Sequence, residues 1–67
     1  MIRKEVSSSR IRSVGWEKNI LEIEFHNGSV YQYFNVSYTE YVSFMNQPSL
    51  GHALSILDKK HTYSRVN

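Results

Sequence analysis

Between Leu21 and Tyr33 the chain alternates apolar and polar residues, turns at Asn27-Gly28 and resumes with Tyr31-x-Tyr33. A period of two puts Leu21, Ile23 and Phe25 on one face of a strand and Glu22 and Glu24 on the other. Asn-Gly between two such runs is a strong signal for a β-hairpin. Two registers fit. With Asn27-Gly28 as a two-residue loop, Glu24 faces Tyr31 and Glu22 faces Tyr33, so the tyrosines form an exposed aromatic face. With His26-Asn27-Gly28 as a three-residue loop and Gly28 left-handed, Ile23 faces Tyr31 and Leu21 faces Tyr33. A slip of one residue thus decides whether both tyrosines belong to the core or to the surface. We expect the three-residue loop, because each ring buries roughly 150–250 Å² and so small a core has few other resources.

At 67 residues the chain is one domain near the lower limit for folding unaided, and buries only about 60% of its unfolded surface. It has no cysteine, so neither a disulfide nor a thiolate site supplements the core. His26, His52 and His61 are far apart in sequence and Asp58 is the single aspartate, so we expect no metal site and no cofactor. Met1 to Ser9 lacks the apolar stretch of a signal peptide, and no run is long enough to cross a membrane. The expected location is cytoplasmic, without a membrane partner. Catalysis has no support, since no spacing of serine and histidine suggests an activated nucleophile.

Residues 1–8 read as a polar lead-in anchored by Val6, and residues 9–67 as a single domain. Ser9 to Trp16 forms a first strand of imperfect alternation, which suggests a bulge near Val14-Gly15. Glu17-Lys18-Asn19 supplies a turn, Leu21 to Phe25 a second strand, and Val30 to Phe34, rich in β-branched and aromatic residues, a third. Ser37 and Glu40 have capping-box spacing, with Val36 and Tyr41 as the hydrophobic staple. A helix therefore starts at Tyr38, and Tyr38, Tyr41, Val42 and Met45 form its apolar stripe. After Pro48, Ser49 caps a second helix with Leu50, Ala53, Leu54 and Leu57 on one side. Lys59, Lys60 and His61 fall at its end, where cations meet the negative pole of the helix dipole. Thr62 to Val66 is an extended tail suited to a short strand. The fold class is α+β: a three-stranded antiparallel β-meander followed by two helices packed on the sheet.

The formal charge is +2, enough to permit a polyanionic partner without demanding one. Arg3, Lys4, Arg10 and Arg12 lie near one end, and Lys59, Lys60 and Arg65 near the other. Chain termini of small domains are often close together, so the two groups are expected to merge into one basic patch that contacts phosphates. Ser49, Gly51 and His52, at a helix start, form a candidate anion site. Trp16 and Tyr63 serve either as stacking platforms beside Arg12 and Arg65 or, for Trp16, as the largest residue of the core.

Read in order, Ser8-Ser9-x-Ile11, Val14-Gly15-Trp16-Glu17, Leu21-x-Ile23-x-Phe25-x-Asn27-Gly28-Ser29, Tyr31-x-Tyr33, Val36, Ser49-x-Gly51 and Ile56 resemble the KTSC family. That family is named after a segment at the carboxyl end of some lysyl-tRNA synthetases and also occurs as free-standing small bacterial proteins. Its mark is a central YxY motif, here Tyr31 and Tyr33 after Gly28. Three positions depart from the usual pattern: Trp16 stands for Tyr, Ser37 for Pro and Gln47 for Ala. The association with a tRNA enzyme implies RNA binding. The expected function is therefore a non-catalytic nucleic-acid-binding module for RNA of tRNA type. The rival is a protein-interaction module that docks a partner on exposed aromatics, with no nucleic-acid role.

Overall fold

The computed structural model describes residues 1–67. The expected three-stranded meander and two helices are present, and a further strand extends the sheet at each edge. In chain order the elements are β1 (Arg3–Glu5), β2 (Ile11–Glu17), β3 (Ile20–Phe25), β4 (Val30–Phe34), α1 (Tyr38–Met45), α2 (Leu50–Lys60) and β5 (Tyr63–Arg65). All neighbours are antiparallel, and the spatial order of the strands follows the chain. Residues 1–8 are thus more than a lead-in, since β1 pairs with β2.

The β3–β4 hairpin adopts the three-residue loop. Ile23 pairs with Tyr31 and Leu21 with Tyr33, the Phe25 amide donates to the Ser29 carbonyl at 2.9 Å, and Gly28 has φ +91°. Leu21, Ile23 and Tyr33 are consequently buried under the helices with Ile11, Val14 and Val36. Each fully buried aliphatic side chain stabilises the fold by roughly 1.5–3 kcal/mol. Lys18 and Asn19 have φ of 51° and 65°, as a two-residue type I′ turn between β2 and β3 requires.

Three local expectations are corrected. The bulge lies between Ile11 and Ser13, not at Val14-Gly15, because Ile11 and Val14 both face the core while Ser13 must face away to bond Glu24 at 2.8 Å. Arg12 is the extra residue. In α1 the buried side chain is Phe44; Tyr38 is 60% exposed and Val42 also lies outside. The α1 cap is half a box: Ser37 accepts from the Glu40 amide at 3.1 Å, but the Glu40 carboxylate turns to His61 and Lys60. The α2 reading stands, with Ser49 as its cap and Ala53, Leu54 and Leu57 buried.

The sheet face away from the helices carries a polar network. Arg3 crosses over Gly15 to bond Glu22 and, at 3.0 Å, Ser13 Oγ, while Gln32 donates to Glu22 at 2.8 Å. Burial works to raise the Glu22 carboxyl; the bonds from Gln32 and Arg3 and the charge of Arg3 outweigh it and hold the group below the usual carboxylate range.

Candidate functional site

On the helix face a cleft of ≈ 300 Å³ opens between α2 and the outer end of the sheet, and the YxY tyrosines lie in it. The strand period sends Tyr31 and Tyr33 toward the helices. β5 then brings Tyr63 opposite Tyr33 and Arg65 opposite Tyr31. Directly paired residues share a face, so Tyr63 and Arg65 join the same side of the sheet. Phe25 and Arg10 complete the upper wall and Asp58, from α2, the lower.

Within the cleft the rings support one another. Phe25 meets Tyr31 edge to face, with centroids 5.6 Å apart, and Tyr63 lies 5.1 Å from Tyr33 and 6.0 Å from Tyr31. Tyr33 is buried and forms the floor; Tyr63 is 49% exposed and offers a free face. The Tyr33 hydroxyl donates to Asp58 Oδ1 at 2.6 Å. Burial, and then the adjoining carboxylate, push the phenol well above its ordinary range, so it stays a protonated donor.

The far end of β5 is fastened by His61. One ring nitrogen lies 3.0 Å from the Phe34 carbonyl and the other 2.6 Å from Glu40 Oε2. Both neighbours are acceptors, so the imidazole bonds both only when it carries two protons. Burial acts to raise the Glu40 carboxyl, and the bonds and charges of His61 and Lys60 overcome it, leaving the group below the carboxylate range.

The seven basic residues named from sequence do not form one patch, because β1 and β5 occupy opposite edges of the sheet. Arg3 is neutralised on the other face by Glu22, with Glu24 at 3.9 Å. Lys60 pairs with Glu40 at 3.3 Å. Lys4 stands on edge strand β1, Arg12 is exposed at the bulge and Lys59 is exposed in the last turn of α2. Arg10 lines the tyrosine cleft, and Arg65 stands on the same sheet face opposite Tyr31.

The Ser49-x-Gly51-His52 segment borders a depression of ≈ 320 Å³ together with Ser7, Ser8, Ser9 and Arg10. Its space is partly claimed: the Arg10 stem lies over Gly51, where a Cβ would come within 3.2 Å of Arg10 Cδ. The guanidinium donates to the Gly51 carbonyl at 3.3 Å, and Ser49 accepts from the His52 amide at 3.3 Å. Trp16 is likewise committed internally. Its indole N–H donates to the Val36 carbonyl at 2.8 Å, and its ring stacks on Tyr41 at 6.1 Å. No group of three or more histidine, aspartate or glutamate side chains converges as a metal site requires.

Sequence reasoning missed Asp58 as a member of the site. The signal was available: Asp58 follows Leu54 by four residues, so a carboxylate continues the apolar stripe of α2.

An antiparallel sheet with two helices on one face and a tyrosine cleft at one edge defines a small α+β domain. The KTSC domain matches residues 7–63, and the chain belongs to that family. It is similar to the crystal structure of a KTSC domain protein, YPO2434, from Yersinia pestis: 34% identity over 98% of this chain and 97% of that chain, with a TM-score of 0.88. No curated protein matches the sequence. No helix is long and apolar enough to cross a membrane.

Proposed function

We propose that this domain is a non-catalytic nucleic-acid-binding module, acting in the cytoplasm on RNA, and that the tyrosine cleft is its contact surface. The observation that carries this reading is the arrangement of Tyr31, Tyr63 and Phe25 around one opening with Arg10 in its lining and Arg65 on the same sheet face opposite Tyr31. Aromatic faces stack unpaired bases, and guanidiniums meet the adjoining phosphates. Charge bears on the ligand class: Arg10 offsets Asp58 within the cleft lining, and Arg65, on the same sheet face opposite Tyr31, adds a positive charge on that side, which favours an aromatic anion over a cation. At ≈ 300 Å³ the cleft is at the small end of ligand pockets and suits one nucleotide of a single strand. A protein-docking reading has one observation in its favour, the exposure of Tyr38 (60%) beside Trp16.

An amide NMR titration separates the two, with bulk tRNA, a mixed-sequence single-stranded RNA and a DNA duplex as probes. Shifts centred on Arg10, Tyr31, Tyr63 and Arg65 are expected with the RNAs, and affinity should fall steeply as salt is raised. Tyr63→Ala should weaken binding by about tenfold or more, the usual consequence of losing one stacking platform. Absence of shifts with RNA at roughly 100 µM, the weak end of non-specific binding, removes this reading and leaves the protein-docking one.

A further inference from the structure

Asp58 is out of place in a surface meant only to attract phosphates. It is the single carboxylate lining the cleft, and it is held in position by the buried Tyr33, whose hydroxyl donates to Oδ1 at 2.6 Å. A carboxylate has about four lone-pair sites. Tyr33 takes one, and Asp58 makes no other hydrogen bond within the chain, so acceptor capacity remains at the mouth of the cleft. A base stacked on the free face of Tyr63, which lines the same cleft as Asp58, can direct an edge toward it.

The four bases differ sharply in what they offer such an edge. Adenine and cytosine present one amine beside a ring nitrogen that is itself an acceptor and repels a carboxylate. Uracil presents one N–H between two carbonyls. Guanine alone presents two donors side by side, N1–H and the 2-amine, with no acceptor between them. We propose that Asp58 makes the cleft selective for guanine, its carboxylate accepting from N1–H and from the 2-amine. This rests on the nucleic-acid reading and specifies its ligand.

The test titrates the intact 67-residue chain with GMP, AMP, CMP, UMP and IMP, followed by amide shifts at Tyr31, Asp58 and Tyr63. GMP should bind about tenfold or more tighter than AMP, CMP or UMP, the scale of a good bidentate base contact. IMP, which lacks the 2-amine, should lose most of that advantage. Asp58→Asn keeps an oxygen for Tyr33 but replaces the second acceptor with a donor; it should bring GMP down to the level of AMP. Lys59→Ala, at an exposed neighbour of Asp58 outside the cleft lining, should preserve the preference. If Asp58→Asn fails to fold, the comparison of GMP with IMP on the parent chain decides. Equal affinity for all five, IMP binding as well as GMP, or a preference that survives Asp58→Asn overturns guanine selection and leaves the stacking cleft standing. Binding of none of the five overturns both.

Discussion

Replacing Gly15 by alanine tests whether β1 is clamped to the sheet through one crowded point. Gly15 lies between Arg3 and Glu22 in the row across β1, β2 and β3. A Cβ there would come within 2.7 Å of the Ile2 carbonyl oxygen, 3.0 Å of Arg3 Cγ and 3.2 Å of Met1 Sδ. The first of these is backbone, so it cannot turn aside as a side chain would. Either β1 stays and bears overpacking, which costs about 1–3 kcal/mol, or it detaches. Detachment loses the three-residue pairing, but the released backbone recovers roughly 1–2 kcal/mol of entropy per residue, so those contributions nearly cancel. What remains is Glu22, only 7% exposed, deprived of Arg3. An orphaned charged partner of this kind costs about 1.5–3 kcal/mol. Both routes arrive at about 1–3 kcal/mol, which lowers the melting temperature of a domain this size by roughly 5–20 °C. Circular dichroism melts give the shift, and amide hydrogen exchange shows whether protection is lost in β1. A melting temperature within about 2 °C of the parent refutes the clamp; given a fall, retained β1 protection marks the overpacked route and lost protection the detached one.

Gly51→Ala should act in the opposite direction. Its crowding neighbour is the end of a flexible arginine, Arg10 Cδ at 3.2 Å, and glycine within a helix is worth about 0.8–1.0 kcal/mol less than alanine; thermal melts should show a rise of a few degrees, and a fall means that Arg10 is fixed in place. Stability should also depend on pH at both extremes. Glu22 and Glu40 are held below the ordinary carboxylate value in the folded chain, so their contribution is present above about pH 4.3 and lost as pH falls through the lowered values. Tyr33 is shifted upward, so its contribution is present below about pH 10 and lost above it. Urea denaturation across the pH range checks both limbs: Glu22→Gln should flatten the acid limb and Tyr33→Phe the alkaline one, and unchanged slopes in these variants would show that other groups set the dependence.

Much of the fold was legible because its central signals are local. The alternation in β3, the Asn27-Gly28 turn and the two serine caps each act within a few residues, and each is found where the pattern put it. β1 was not legible, since its residues are charged and its place depends on Arg3 reaching Glu22, nineteen positions away. The α1 stripe was misjudged for a related reason: Tyr41, Phe44 and Met45 fit helical spacing as well as Tyr38, Tyr41, Val42 and Met45 do. The outcome is set by where α1 crosses Trp16, whose ring meets Tyr38 and Tyr41 at 5.3 and 6.1 Å. At the cleft, the YxY pair and the register that buries it followed from sequence. The gathering of Arg10, Asp58 and Tyr63 did not, because it depends on how α2 lies on the sheet and on which edge β5 joins.

The chain-ordered sheet has an entropic corollary. β1 to β4 each pair with the strand just before or after them in sequence, whereas β4 and β5 are separated by both helices. Closing that long loop carries a larger entropy penalty than the hairpins do. Tyr63 thus reaches the cleft only through the one non-local pairing of the sheet, so the wall it supplies depends on the docking of α2, whereas the β1–β4 pairings form between chain neighbours.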